Sequence, residues 1–330
     1  VGYTPQVGSS IPDRGEVIVL YGNTPLITGQ SLDKMLQFHR KKKNAVTVLS
    51  AVAEDKDVTD QEKNILKTNG DIYVFEAPLL KYALTKVGND SRKKESYFTD
   101  AVGILKTEGH NVGTIAVSNP CDLLGVDSTT QMAEVTAIMK ARINNRHMEN
   151  GVELIDPHNT YIEPDVIIGK DTIIEPGCML KGKTIIGESC FIGYNTKIED
   201  SHINNNVYIE SSVIRESYID KGSNVGPFAY LRPQSKIGKK VKIGDFVEIK
   251  NSTIGDYTKV PHLTYVGDAD VGEYVNFGCG SVLVNYDGVH KNRSTIGDHA
   301  FIGCNTNLVS PVTIGERAYT AAGSTITTDV

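Results

Sequence analysis

A chain of 330 residues has room for two domains and a sizeable core. Its net charge of −6 and pI near 5.8 argue against a nucleic-acid or anionic-membrane partner held through bulk charge. The five cysteines (Cys121, Cys178, Cys190, Cys279 and Cys304) are scattered and form no CxxC pair, which fits a reducing compartment and gives no zinc signal. No apolar run approaches the ~20 residues of a membrane span, and no charged-then-apolar leader opens the chain. A cytoplasmic protein is expected.

From about Glu16 to Gly125 the chain alternates strand-like and helix-like pieces. "EVIVLYGNTPLI" begins as a buried strand, "SLDKMLQFHRKKK" has helical apolar spacing, and "AVTVLSAVA" and "DIYVFE" read as strands. "SYFTDAVGILKTEG" reads as a helix stopped by glycine, so this part has an α/β pattern. A second helix is better signalled. Ser128 with Gln131 three residues on makes a capping-box start, and the pattern runs to Gly151 as its stop. The expected division is therefore an α/β domain over 1–127, a connecting helix over 128–151 and a third segment over 152–330.

In that last segment the period changes to six. Ile162, Ile168, Ile174, Leu180, Ile186, Ile192 and Ile198 fall six residues apart, as do Ile219, Val225, Leu231, Ile237, Ile243 and Ile249. A third run holds Ile296, Ile302, Leu308 and Ile314, with Ile326 in phase. Neither a 3.6-residue helix nor a simple alternating strand gives this period. It is the hexapeptide signature of a parallel β-helix, in which three hexapeptides close one triangular coil and the aliphatic rungs stack inward. The ladder slips between Leu283 and Ile296, so "VNYDGVHKNRS" must leave the prism as a loop, where binding residues often lie. Shorter five-residue steps at Ile198–Ile203, Ile249–Ile254 and Val266–Val271 mark corner adjustments.

The segments "PFAYLRP", "GDFVEIKNSTIG", "KVPHLTYVGD", "VNFGCGSVLVNYDGVHK" and "FIGCNTNLVSPVTIG" carry a resemblance. In order and spacing they resemble the acetyltransferase half of the bacterial bifunctional N-acetylglucosamine-1-phosphate uridyltransferase/glucosamine-1-phosphate acetyltransferase family. The resemblance runs from roughly Gly15 to Val330 and implies a partial, Rossmann-like nucleotidyltransferase α/β domain followed by a left-handed parallel β-helix. It also implies a homotrimer with sites at the subunit seams, small-molecule substrates, acetyl-CoA as cosubstrate and peripheral cell-envelope enzymes as partners.

Acetyl transfer from a thioester to a sugar amine needs a base, a site for the sugar phosphate and donors for the developing oxyanion. By the family's pattern His262 is the base, because imidazole accepts a proton near neutrality. A lone histidine at such a corner would otherwise read as exposed by chance. The resemblance places Arg232 and Lys250 on the sugar phosphate. Tyr265, Asn276, Asn285 and Tyr286 match the remaining sugar positions, and Glu248 matches a polar neighbour. Asn276 taken alone would read as a corner cap. Cys279, Cys304 and Ala322 match the acetyl-CoA groove, where backbone contact is expected of the cysteines, and Lys291 in the extruded loop is assigned to coenzyme A phosphates. Pro261 stands where relatives carry a small residue and is expected to stiffen the corner before His262. The chain also stops at "TITTDV", short of a tail that relatives carry.

The N-terminal half departs further. "VLYGNTPLITGQSL" resembles the stretch where a family aspartate holds magnesium, and here that position is Asn23, a poorer ligand for a hard dication. Asn69 in "KTNGD" matches the second metal position, and Glu95 in "KKESYFTD" stands where relatives have "GEYY". No glycine-rich, lysine-containing phosphate loop lies near the start. Nucleotidyl transfer is therefore expected to be impaired, with magnesium relevant only if that half works. The competing expectations are a uridyltransferase that uses its β-helix only to trimerise, a silent scaffold, and a metal-dependent β-helix enzyme built on His262, His290 and His299.

Overall fold

The computed structural model describes residues 10–51, 72–87 and 97–330. Asn69 and Glu95, two positions singled out above, lie outside these residues. The chain divides into two compact units, Val1–Met139 and Lys140–Val330.

In the first unit four strands, β1 (Glu16–Val19), β2 (Val46–Ser50), β3 (Ile72–Glu76) and β4 (Val112–Ala116), form one sheet in the order β1-β3-β2-β4. Strand β3 runs antiparallel to both neighbours, and β2 and β4 are parallel. Among the described residues three α-helices lie wholly in this unit: α1 (Gly29–Lys42), α2 (Ala77–Lys86) and α3 (Tyr97–Thr107). Thr28 caps α1 through its hydroxyl, which accepts from the Ser31 amide at 3.2 Å. Each sheet face buries its own core, as an α/β layer requires. Tyr73, Phe75, Leu80 and Leu105 pack in one cluster, and Met35, Leu49, Ile72 and Val74 in the other. Strand β1 was expected to be buried, but it lies at the sheet edge and is half-buried throughout.

Helix α4 (Thr129–Glu149) crosses the division between the units. Its capping box differs by one residue from the expected form. Ser128 Oγ accepts from the Gln131 amide at 3.2 Å, whereas the Gln131 side chain reaches back to the amide of Asp127 at 2.8 Å. The end of α4 seats the first coil of the second unit. Asn144 Nδ2 donates to the carbonyls of Pro157 and Thr160, and Arg146 donates to that of Pro164. These bonds tie down the end of a solenoid that would otherwise be open.

The second unit is the parallel β-helix that the six-residue period implies, left-handed as the resemblance implies, with faces of nine, nine and ten stacked strands. The rungs are buried as expected, from Ile162 through Ile314, while Ile326 on the last coil is only half-buried. Two rows behind each rung sits a small residue, often a hydroxyl such as Thr172, Ser223 or Thr258. Each of these donates to a corner carbonyl one coil on, so the buried turns do not leave orphaned acceptors.

Most solenoid strands are two or three residues long. The four-residue exceptions are adjacent, Lys242–Asp245 and Lys259–His262, and they pair with Asp245 opposite His262. Their extension needs Gly244, because a Cβ there would lie 1.8 Å from the Pro261 carbonyl oxygen. Pro261 was expected at the corner itself. It lies inside the longer strand, and its fixed φ suits that extended backbone.

Candidate acyl-transfer site

The carbonyl of each residue two places past a rung accepts from the next coil, which aligns Asp245, His262, Cys279 and Cys304 along one corner. Leu263 N donates to Asp245 O, Gly280 N to His262 O, Asn305 N to Cys279 O and Gly323 N to Cys304 O. The side chain of His262 is 52% exposed and its Nδ1 lies 2.7 Å from Asp245 Oδ1. That hydrogen bond, before any charge effect, holds the Asp245 carboxyl below the ordinary carboxylate range. With Nδ1–H donating to the carboxylate, Nε2 is left as the lone-pair nitrogen facing solvent. Asp245 was quoted in a motif but not recognised as functional. Its signal was the 17-residue separation from His262, the length of that coil.

The next face carries the polar cluster. Asp268 is 8% exposed and accepts from Lys250 Nζ at 3.0 Å, from Asn251 Nδ2 at 2.7 Å and from Asn285 Nδ2. Burial works against its ionisation, but these hydrogen bonds outweigh burial and leave its pKa below the ordinary value. Asn285 Nδ2 also lies 3.3 Å from the Tyr265 hydroxyl. Gly267 makes room for both groups, since a Cβ there would lie 2.2 Å from that hydroxyl. Arg232 donates to Glu248 at 2.8 Å, with each side chain 39% exposed.

Lys291 was assigned to coenzyme A phosphates. It lies near Lys250, whose contact and charge push its pKa down, with Arg232 adding to the repulsion. Arg232, Lys250 and Lys291 thus converge on one anion-seeking spot. The extruded loop that carries Lys291 folds on itself through the Tyr286–Lys291 bridge, and Tyr286 hydroxyl donates to Gly288 O at 2.7 Å. Arg293 closes the loop by gripping Asp270 and the carbonyls of Asn251 and Ala269. Asn276 begins a strand in register with Lys259, on the face that carries His262. Cys279 is half-buried, and Cys304 and Ala322 are exposed beside the same corner.

Two other expectations fare differently. Among the described residues His262, His290 and His299 form no ligand cluster; His299 stacks on Tyr274 at 5.0 Å. Asn23 Nδ2 donates to Asp127 Oδ1 at 3.0 Å, while its own Oδ1 is buried without a hydrogen-bond partner. With the amide turned over, an amide oxygen and a carboxylate would face one another. Both are hard donors of the kind magnesium takes, so these residues fit the implied ion. Asp127 was missed because 104 residues separate it from Asn23.

Residues 293–328 match the family model for the bacterial transferase hexapeptide (six repeats). The chain is 48% identical to the bifunctional protein GlmU of Alkaliphilus metalliredigens over 97% of its own length and 75% of that relative's. It is 50% identical to the GlmU of Clostridium beijerinckii over 96% of this chain and 74% of the relative. The chain belongs to the GlmU family. It is an acyl-transferring enzyme of that family. A solved UDP-N-acetylglucosamine acyltransferase from Francisella novicida is also similar, at 20% identity and a TM-score of 0.38 over 51% of this chain and 61% of that one. Among the described residues no helix is long and apolar enough to cross a membrane.

Proposed function

We propose that this GlmU-family chain transfers the acetyl group of acetyl-CoA to the amine of glucosamine 1-phosphate, giving N-acetylglucosamine 1-phosphate and coenzyme A. The observation that carries the reading is the Asp245–His262 pair at 2.7 Å, one corner before the face on which Lys250 holds Asp268 and Arg232 holds Glu248. The amine nitrogen attacks the thioester carbonyl and a C–N bond forms. His262 Nε2 takes the amine's proton, the C–S bond breaks, and the proton passes to the departing thiolate. Asp245 holds the imidazole in the accepting tautomer. The three cations receive the sugar phosphate, while Tyr265, Asn285, Asn276, Tyr286 and Glu248 orient the sugar. Acetyl-CoA would run along the corner past Cys279, Cys304 and Ala322.

The homotrimer belongs to this proposal. Phe228 and Phe246 stack at 5.5 Å, and with Leu263 they form an exposed apolar column beside Asp245 and His262. Such a column supports subunit contact at the site. The domain limits 1–127, 128–151 and 152–330 are proposed with it.

The test is thiol release from acetyl-CoA with glucosamine 1-phosphate as acceptor. Lys250→Ala and Lys291→Ala are each expected to raise KM for the sugar phosphate about tenfold or more, since charge-assisted hydrogen bonds are worth about 1.5–3 kcal/mol. Glucosamine without its phosphate should be a poor acceptor for wild type. If both acceptors turn over equally, the phosphate assignment fails.

Uridyl transfer is proposed to be impaired. Asp127 and the amide oxygen of Asn23, a set with a single carboxylate, would hold magnesium, whose charge would offset that of the UTP phosphates. Pyrophosphate release from UTP and N-acetylglucosamine 1-phosphate is expected to be weak and to rise in Asn23→Asp. Turnover that ignores this substitution would remove Asn23 from the metal site.

A further inference from the structure

A second cluster lies in the α/β unit, apart from Asn23 and Asp127. Glu16 on β1 and Glu76 on β3 are directly opposite in the antiparallel register. Like charges in that relation repel, and a cation between them would relieve the repulsion. His39, on α1, faces the pair and is 1% exposed. Its Nδ1 lies 2.9 Å from Thr47 Oγ1, and its Nε2 is buried with no hydrogen-bond partner, 3.7 Å from Glu76 Oε1. Burial, against the pull of Glu76 and Glu16, holds the imidazole's pKa below its ordinary value. In the tautomer whose Nδ1–H donates to Thr47, the lone pair lies on Nε2.

We propose that Glu16, His39 and Glu76 form a binding site for a divalent transition-metal ion of the zinc class. One donor atom from each residue lies within 4.8 Å of the other two, close enough for three ligands to close on one ion. The mixed imidazole and carboxylate set suits zinc or a neighbouring first-row ion better than magnesium or calcium, which favour all-oxygen sites. The outer partners are also present. Thr47 orients the imidazole, and Arg40 donates to both Glu16 oxygens, its Nε 2.8 Å from Oε1 and 3.1 Å from Oε2. Glu16 and Glu76 open onto a cleft of about 390 Å³, lined also by Arg40, Lys43 and His110 among others, while His39 lies behind them.

Titration of the full chain with zinc chloride, followed by calorimetry, tests the site. Cobalt(II) absorption in the visible gives a second readout of the ligand set. One equivalent of zinc is expected to bind, at least tenfold more weakly in Glu76→Gln and in His39→Gln. Glu76 is 43% exposed at its side chain, so its substitution leaves the fold in place even if that of buried His39 does not. The proposal is overturned if no zinc binds, if Glu76→Gln and Glu16→Gln bind as wild type does, or if binding is lost in His262→Ala instead.

Discussion

Replacing His262 with alanine is expected to cut acetyl transfer by about 10²–10⁴-fold in kcat, with KM for both substrates little changed. The loss falls on kcat because the imidazole acts on the proton that moves as the C–N bond forms. Asp245→Asn separates the base from its support. An amide keeps the size of the carboxylate but can donate to Nδ1, which would put the proton on Nε2 and leave no acceptor for the amine. A fall in kcat on the order of tenfold to a hundredfold is expected for that variant, with the fold and KM retained. If His262→Ala loses activity while Asp245→Asn does not, the 2.7 Å pair is a surface ion pair and Asp245 leaves the mechanism. If wild type itself is folded and inactive, the scaffold reading takes precedence. The measurement is thiol release at saturating and at limiting glucosamine 1-phosphate.

How much of this could be read from the sequence depends on how far apart in the chain the cooperating residues stand. The rungs were legible because each hexapeptide repeats the same demand for one buried aliphatic, so Ile168, Ile186 or Ile302 announces its own environment. Helix α2 was not legible: "APLLKYALTK" is ten residues long and its apolar side is set by the sheet it covers. Strand β4 was missed because Gly113 interrupts its short apolar run, "VGTIA".

The site followed the same rule. His262, Lys250, Arg232 and Glu248 were singled out from family motifs, whereas Asp245 and Asp268, quoted in the same motifs, were not, because each stands a coil away from the residue it serves. Asp245 lies below His262 and Asp268 above Lys250, 17 and 18 residues distant. On a β-helix the separation that brings side chains together is about one coil, and a scan at that spacing would have found both pairs. No such rule reaches Glu16, His39 and Glu76, which meet through sheet order and helix packing.

Asp268→Ala is expected to have the largest effect on stability within the β-helix. The carboxylate is the common acceptor for Lys250, Asn251 and Asn285, and its removal leaves an ammonium that is 17% exposed without a counter-ion. Breaking a buried pair in this way costs about 3–5 kcal/mol, against about 0–1 kcal/mol for an exposed one such as Arg232–Glu248. The linkage has a definite sign. The folded pKa of Asp268 is depressed, so its contribution is fully present above the unfolded value of about 3.9 and is lost as pH falls through the lower folded value. Wild type and Asp268→Ala should therefore differ most near neutrality and converge in strong acid. The substitution also leaves Lys250, Lys291 and Arg232 near one another, with Glu248 paired to Arg232 alone among the ion pairs of the described residues. Inorganic phosphate or glucosamine 1-phosphate should then stabilise the variant more than wild type, since the anion replaces part of the lost charge. Amide hydrogen exchange in the coils around 250, 268 and 285, with and without phosphate, measures both effects. Equal protection in the two proteins would mean that the cluster is wet and that the cations are held apart by water instead of by Asp268.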